Sequence, residues 1–492
     1  MAANTKKAQL DLQTRLMETL RELGGQTHGD DMIVYHPGRQ ILVPEGMELL
    51  TLHKVVQKKI QDEEQDYAIG REFHYRPHDG FRAVRNVLRD HFGWATGMAV
   101  KSFFGTKPPE LITIDVGVGE TEQVPSGWIE LPMFEGGKIH LGASSHAEYG
   151  IVFSVHAQCK KKFEGAVAGL FKLIQRYLET DSIYRGKAIT ASENPEFIDV
   201  TGIDPEDVIY THEVMRKLKT YVWANIWYPQ QLRDIGELGK RLTILFGDYG
   251  VGKTLAAYLT AWYCLQAYDN DPIGFIIVRP GQDDWVYAMQ MAKLYGRCII
   301  FIEDIDTIID TTDQRQISMV LDQLDGLRAK GSDVSMIFTT NHIDKIHKGV
   351  LRPGRTDGVI EVGSMDEDGV ARYARRVIGD NLSADYDSKA VFHAVREYTP
   401  AYVREVFSRA KRTSMVNHDG VMGEITTQDL VDAADDLRPQ LALMQAAPEL
   451  QERSGIDGAL NGLISAVVNR KLETSYLVNE DGDWMYAIRT DG

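Results

Sequence analysis

Nine residues, Gly247, Asp248, Tyr249, Gly250, Val251, Gly252, Lys253, Thr254 and Leu255, carry the clearest chemistry in the chain. The first eight fit the spacing G-x-x-x-x-G-K-T. The apolar run "LTILF" precedes them and "AAYLTAWY" follows, so the glycines fall between a strand and a helix. There, glycines let successive backbone N–H groups curl around phosphate oxygens, and the helix start adds the positive end of its dipole. Lys253 then reaches the β- and γ-phosphates of a nucleotide such as ATP, and Thr254 offers magnesium a hydroxyl ligand. The stretch 247–255 is therefore read as nucleotide-binding. A chance Gly-rich turn is the competing explanation, and the strand–turn–helix context argues against it.

A second group, Glu303-Asp304, closes the apolar run "CIIFI" fifty positions after Lys253. Ligands of open parallel sheets bind at the C-terminal ends of the strands, so these carboxylates are expected beside the phosphate loop. One should hold magnesium and the other should polarise an attacking water. Such sites usually read Asp then Glu. With the order reversed, the longer Glu303 is assigned to the magnesium side and Asp304 to the water.

The elements that must position these groups follow from the apolar pattern. From about residue 200, "LTILF", "GFIIV", "CIIFI", "SMIFTT" and "GVIEV" alternate with helical stretches. Short continuous apolar runs of this kind are strands covered on both faces, which predicts an α/β core with a parallel, doubly wound sheet. Residues 191–364 are assigned to this core. Residues 365–436 carry only helical periodicity and form a small helical lid. Residues 1–190 mix helices ("VPEGMELLTLHKVVQKKIQDEE", "DGFRAVRNVLRDHFGWA") with strands ("ELITIDVGV", "GKIHLGA", "EYGIVFSVHA", and one with loop flanks in "DSIYRGKAITAS"), an α+β module without a catalytic motif. It begins with a helix whose face carries Leu12, Leu16, Leu20 and Leu23. The run Lys160-Lys161-Lys162 reads as a solvated helix start rather than an anion site. The tail, 437–492, predicts a helix around "ALNGLISAVVNRK", then a β-hairpin with Tyr476 and Val478 opposite Trp484, Tyr486 and Ile488.

Composition narrows the class. The 492 residues are 43% hydrophobic and 25% charged, ordinary for a globular protein, with a formal net charge of −17. That balance disfavours a broad nucleic-acid surface. No apolar run reaches the length of a membrane span, and "MAANTKKAQLDLQTRL" lacks the apolar stretch of a secretory signal. Cys159, Cys264 and Cys298 lie far apart in apolar surroundings and read as buried free thiols of a reducing compartment, so a cytoplasmic location is expected.

Taken in order, "LFGDYGVGKT", "IIFIEDID", "VLDQLDGL", "MIFTTNHIDKI" and "VLRPGRTD" resemble the consecutive motifs of the AAA family of ATPases, over roughly residues 200–436. The resemblance implies ATP and magnesium as cofactors and a homo-oligomer, a hexameric ring with nucleotide bound between subunits. By the same resemblance Asn341 matches the sensor that orients the attacking water. Arg352 and Arg355 match two arginine fingers that reach the neighbouring subunit's γ-phosphate. The Glu-Asp order is similar to that of the Rieske-protein translocases of mitochondrial inner membranes, a branch of the family. Members that thread peptides carry an aromatic–hydrophobic–glycine loop after the second strand, and "VRPGQDDWVYAMQMAKLYG" has no clear version of it. Trp285 or Tyr287 either lines a pore or packs on the core. The expected function is ATP hydrolysis coupled to remodelling or translocating a macromolecular client, protein in preference to nucleic acid. The alternatives are a DNA-directed motor or loader of a phage or mobile element, and a structural oligomer that binds nucleotide without hydrolysing it.

Overall fold

The computed structural model describes residues 48–441 apart from 94–99, 103–104, 132–133, 135, 238–240, 268–270, 309–332, 347–348 and 353–355, together with the backbones of strands at 35–36, 40–41, 472–478 and 484–490. It divides into two compact units, Met1–Gly363 and Ser364–Gly492.

The first unit holds two large sheets, besides two-stranded pairs at 35–36/40–41 and 100–102/105–107. Strands β1 (Asp66–Phe73), β2 (Glu110–Gly117), β3 (Glu120–Glu130), β4 (Lys138–His146) and β5 (Gly150–Lys160) form an antiparallel sheet in the order β1-β5-β4-β3-β2. Helices α1 (Leu49–Glu63), α2 (Pro77–Phe92) and α3 (Glu164–Thr180) accompany it. Phe153, Val155 and Ala157 of β5 share a buried core with Val84, Val87 and Leu88 of α2 and Leu170, Phe171 and Ile174 of α3. Gly80, in the first turn of α2, lets the helix lie close on the sheet: a Cβ there would run into the Phe153 ring. The sequence signals do not name β1 or β3. The reason is plain in β3, which contains Pro125 and Gly127. Its first half pairs only with β2 and its second half only with β4, and Gly127 turns between them at φ +66°. Proline is tolerated there because one side of the strand is unpaired. Lys160, Lys161 and Lys162 pair with Asp66, Asp62 and Glu64 at 2.7, 2.7 and 2.6 Å, so these cations already face carboxylates of their own chain.

The second sheet is parallel throughout: β6 (Ala188–Thr190), β7 (Arg241–Phe246), β8 (Gly274–Val278), β9 (Cys298–Ile302), β10 (Val334–Thr340) and β11 (Gly358–Glu361), in the order β6-β8-β9-β10-β7-β11. Every residue of β8, β9 and β10 is buried, as continuous apolar runs require. Helices α4 (His212–Leu218), α5 (Lys253–Leu265) and α6 (Trp285–Tyr295) belong to this layer. The fold is thus an α/β core preceded by an α+β region.

The expected boundary at 190/191 falls at the end of β6, the edge strand of the parallel sheet. One hydrophobic cluster runs through both regions, from Phe73 and Phe153 to Ala288, Met291 and Ile300. At the junction the buried Arg76 donates from its backbone N–H to the Tyr295 hydroxyl (3.0 Å), and its guanidinium lies over the Tyr287 ring at 5.5 Å. Asp79 beside it accepts from Ser182 Oγ (2.6 Å) and Ile183 N (2.8 Å), and burial pushes its carboxyl up to about 6. Trp285 packs against the same cluster, so both aromatic residues considered for a pore are engaged with the body of the first unit.

The second unit contains α7 (Glu367–Ile378), α8 (Ser388–Val395), α9 (Pro400–Asn417) and α10 (Thr427–Asp435) around Val370, Val391, Val406, Phe407 and Leu430. Each start is written in the sequence. Asp366 and Asp387 cap backbone N–H groups, Pro400 opens α9, and Thr426 forms a capping box with Asp429. The tail strands β12 (Leu472–Val478) and β13 (Trp484–Thr490) pair antiparallel, with Tyr476 opposite Tyr486 and Val478 opposite Trp484. The helices expected near Leu12 and around "ALNGLISAVVNRK", and the motif "VLDQLDGL", lie outside the described residues. Among the described residues no helix is long and apolar enough to cross a membrane.

Candidate nucleotide site

The C-terminal ends of β7, β9 and β10 are adjacent in the sheet, and they bring together groups far apart in sequence. From β7 the chain enters the glycine loop. Gly247 has φ +154°, and a Cβ there would collide with the Val362 carbonyl, so only glycine lets the loop leave the strand this close to the segment after β11. Gly252 (φ +100°) then starts α5, whose first residue is the buried Lys253.

Lys253 Nζ donates to the carbonyls of Gly247 (2.7 Å) and Asp248 (2.9 Å) and to Asn341 Oδ1 (2.6 Å). Burial lowers its pKa, against the opposing charges of Asp304, Asp248 and Asp306. Asn341, just past β10, donates from Nδ2 to Asp304 Oδ1 at 3.2 Å. Lys253, Asn341 and Asp304 are therefore one connected set. Thr339 Oγ1 accepts from Asp304 N (2.9 Å), and Thr340 Oγ1 donates to Asp306 Oδ1 (2.7 Å), which braces β10 against the turn after β9.

Glu303 occupies a different niche. Burial raises its pKa, opposed by a hydrogen bond with Thr254. Its Oε1 is buried and has no hydrogen-bond partner. A buried carboxylate oxygen left unpaired is costly unless a ligand completes it. With the Thr254 hydroxyl beside it, the pair offers the hard oxygen donors that magnesium takes, so these residues fit that ion. Among the described residues, no cluster of three or more His, Cys, Asp or Glu could hold an ion alone. Magnesium held here would draw further ligands from phosphate and water, as it commonly does.

The remaining sequence-predicted residues scatter. Tyr249 and Leu255 are exposed on the loop and the first turn of α5, while Val251 is buried beneath it. Arg352 is exposed in the segment before β11, and Arg355 lies outside the described residues.

Residues 243–364 match the family described as "ATPase family associated with various cellular activities (AAA)". The chain carries an AAA ATPase domain. It is 27% identical over 259 residues to a proteasome-activating nucleotidase of Methanococcus maripaludis, covering 46% of this chain and 61% of that protein. It is 27% identical over 291 residues to the one of Saccharolobus solfataricus, covering 56% and 70%, and 30% identical over 200 residues to the one of Methanocaldococcus jannaschii, covering 38% and 45%. The chain thus spans about 61% of the length of the first of these curated relatives.

Within the AAA domain, the reversed carboxylates have a backbone correlate. Asp304 has φ +43°, a left-handed conformation that aspartate adopts more readily than most side chains. The conformation suits a short carboxylate at this turn. Restoring the usual order with the double substitution Glu303→Asp and Asp304→Glu should therefore harm the protein. We expect a stability loss of about 1 kcal/mol and a fall in hydrolysis of up to about 10²-fold from misplaced oxygens. Thermal unfolding and phosphate release read the two effects. Equal or faster turnover by the swapped protein would show that the order is interchangeable.

Proposed function

We propose that this chain is a ring-forming ATPase that couples hydrolysis of magnesium-bound ATP to remodelling a protein client. The observation that carries the reading is the connected set of Lys253, Asn341 and Asp304 at the strand ends, with the unpaired Glu303 oxygen and Thr254 beside it. A dead nucleotide binder needs Lys253 but has no use for a carboxylate and a sensor held to it.

In this reading the glycine loop N–H groups and Lys253 hold the β- and γ-phosphates. Thr254 and Glu303 hold magnesium, which when bound neutralises charge on the phosphate oxygens. Asp304 accepts a proton from the attacking water, and Asn341 fixes that carboxylate. Arg352 and Arg355 reach into the neighbouring subunit's site, which makes the active unit a homo-oligomer, most simply a hexamer. The Glu-Asp order, and the stretch "VRPGQDDWVYAMQMAKLYG" without a clear aromatic–hydrophobic–glycine loop, we read as those of the Rieske-protein translocase branch. The relatives' name, proteasome-activating nucleotidase, supports nucleotide hydrolysis and a protein-directed task, and the acidic net charge agrees.

The test is phosphate release by the full chain with magnesium and ATP, beside Lys253→Ala as the blank. Light scattering with a slowly hydrolysed ATP analogue should show a ring-sized particle. Turnover indistinguishable from the blank in an assembled ring would replace this reading with the structural one. A persistent monomer with full turnover would remove the ring.

A further inference from the structure

The glycine loop is braced from behind by a residue that no motif names. Tyr210 ends the buried segment Val208-Ile209-Tyr210, immediately before Thr211 caps α4. Its hydroxyl donates to the Gly252 carbonyl at 2.7 Å. The same carbonyl accepts the first intrahelical bond of α5, from Ala256 N at 3.1 Å. The Tyr210 ring stands against Gly252, about where a Cβ at that position would touch it (3.5 Å).

A trans peptide is planar, so its C=O and N–H point in opposite directions. The carbonyl of Gly252 and the N–H of Lys253 belong to one such plane. Holding the carbonyl from the Tyr210 side aims the Lys253 N–H the other way, into the concave side of the loop where phosphate oxygens bind. Gly252, at φ +100°, has no side chain of its own to hold that plane. We propose that Tyr210 is a positioning residue for nucleotide binding, which fixes the Gly252–Lys253 peptide so that its N–H is set for the phosphate before the nucleotide arrives. Burial raises the phenol pKa, so the hydroxyl remains a donor at any working pH.

The proposal rests on the nucleotide site described above, and the experiment separates the two. Tyr210→Phe keeps the ring and removes only the hydroxyl. Tyr398→Phe is the control: its hydroxyl also donates to a buried carbonyl, that of Ala434 at 2.7 Å, but within the helical unit. Dissociation constants for ATP and ADP are measured with magnesium for the full chain and both variants, together with KM, kcat and thermal unfolding without nucleotide. The expected result is a three- to tenfold weakening of ATP and ADP binding in Tyr210→Phe, roughly the effect of one neutral hydrogen bond. KM should rise with it and kcat should stay within about twofold, because the peptide N–H serves ground and transition states alike. Tyr398→Phe should lose heat stability without losing affinity. Unchanged affinity in Tyr210→Phe, or an equal loss in Tyr398→Phe, overturns the brace while leaving the site intact. Failure of the wild-type chain to bind either nucleotide overturns the site and the brace together.

Discussion

Asp304→Asn is expected to lower ATP hydrolysis by about 10²- to 10⁴-fold, the usual contribution of a general base, while ATP stays bound. The substitution is chosen for what it preserves. Asparagine shares the tolerance of aspartate for positive φ, so the turn at φ +43° should survive. It also keeps an oxygen for Asn341 Nδ2, now 3.2 Å away. What it loses is the charge proposed to take a proton from water. Removing that charge also removes a repulsion on the incoming γ-phosphate, so ATP should bind as tightly as before or more so. Glu303→Gln is the contrasting variant. Glu303 sits with Thr254 rather than Asn341, so its loss should chiefly raise the magnesium concentration needed for binding. Single-turnover phosphate release and an ATP titration at several magnesium concentrations read both. If Asp304→Asn hydrolyses within tenfold of wild type while Glu303→Gln does not, the roles of the two carboxylates are exchanged.

The parts of the site that sequence could reveal are those with a physical pattern. The five apolar runs from "LTILF" to "GVIEV" became β7 to β11: β8, β9 and β10 are buried at every position, which keeps their runs nearly continuous, while β11 at the sheet edge alternates buried and exposed residues. The glycine loop was legible because phosphate binding constrains the spacing as well as the residue types. Other features left no such mark. The strand within "DSIYRGKAITAS" is readable, but its place as β6 in the parallel sheet, where Ile189 pairs with Ile276, is set by tertiary packing. β3 carries a proline and a glycine that mimic a loop, since the partner switch at Gly127 is invisible in one dimension. The packing of Trp285 and Tyr287 on the first unit could not be chosen over a pore, because both places accept an aromatic residue on a helix. Tyr210 had no signal at all. It reads as one more apolar residue before a helix, and only its 2.7 Å bond to Gly252 sets it apart.

Arg352→Ala should reduce hydrolysis by about 10³-fold or more with little change in ATP affinity, as the loss of an arginine finger does. Arg352 is exposed, and its carbonyl accepts from Thr356 N at 3.3 Å. Thr356 Oγ1 donates to the Val350 carbonyl (2.6 Å), and Asp357 N donates to the Leu242 carbonyl of β7 (2.9 Å). The backbone of Arg352 is thus tied to Thr356 while its side chain is exposed, which is what a group acting on another subunit requires. Action in trans can be tested by mixing. A Lys253→Ala subunit cannot hold ATP productively but keeps Arg352. An Arg352→Ala subunit holds ATP but offers no finger. Each should be inactive alone. In randomly mixed rings, about a quarter of the interfaces pair an intact phosphate loop with an intact arginine, because an interface in a closed ring takes one face from each neighbour. Mixing the two inactive proteins should therefore restore hydrolysis to a readily measured fraction of wild type. No restoration, with mixed rings verified by differently tagged subunits, would mean that Arg352 serves its own subunit or only the fold. A fully active Arg352→Ala protein would leave the exposed arginine without a catalytic part.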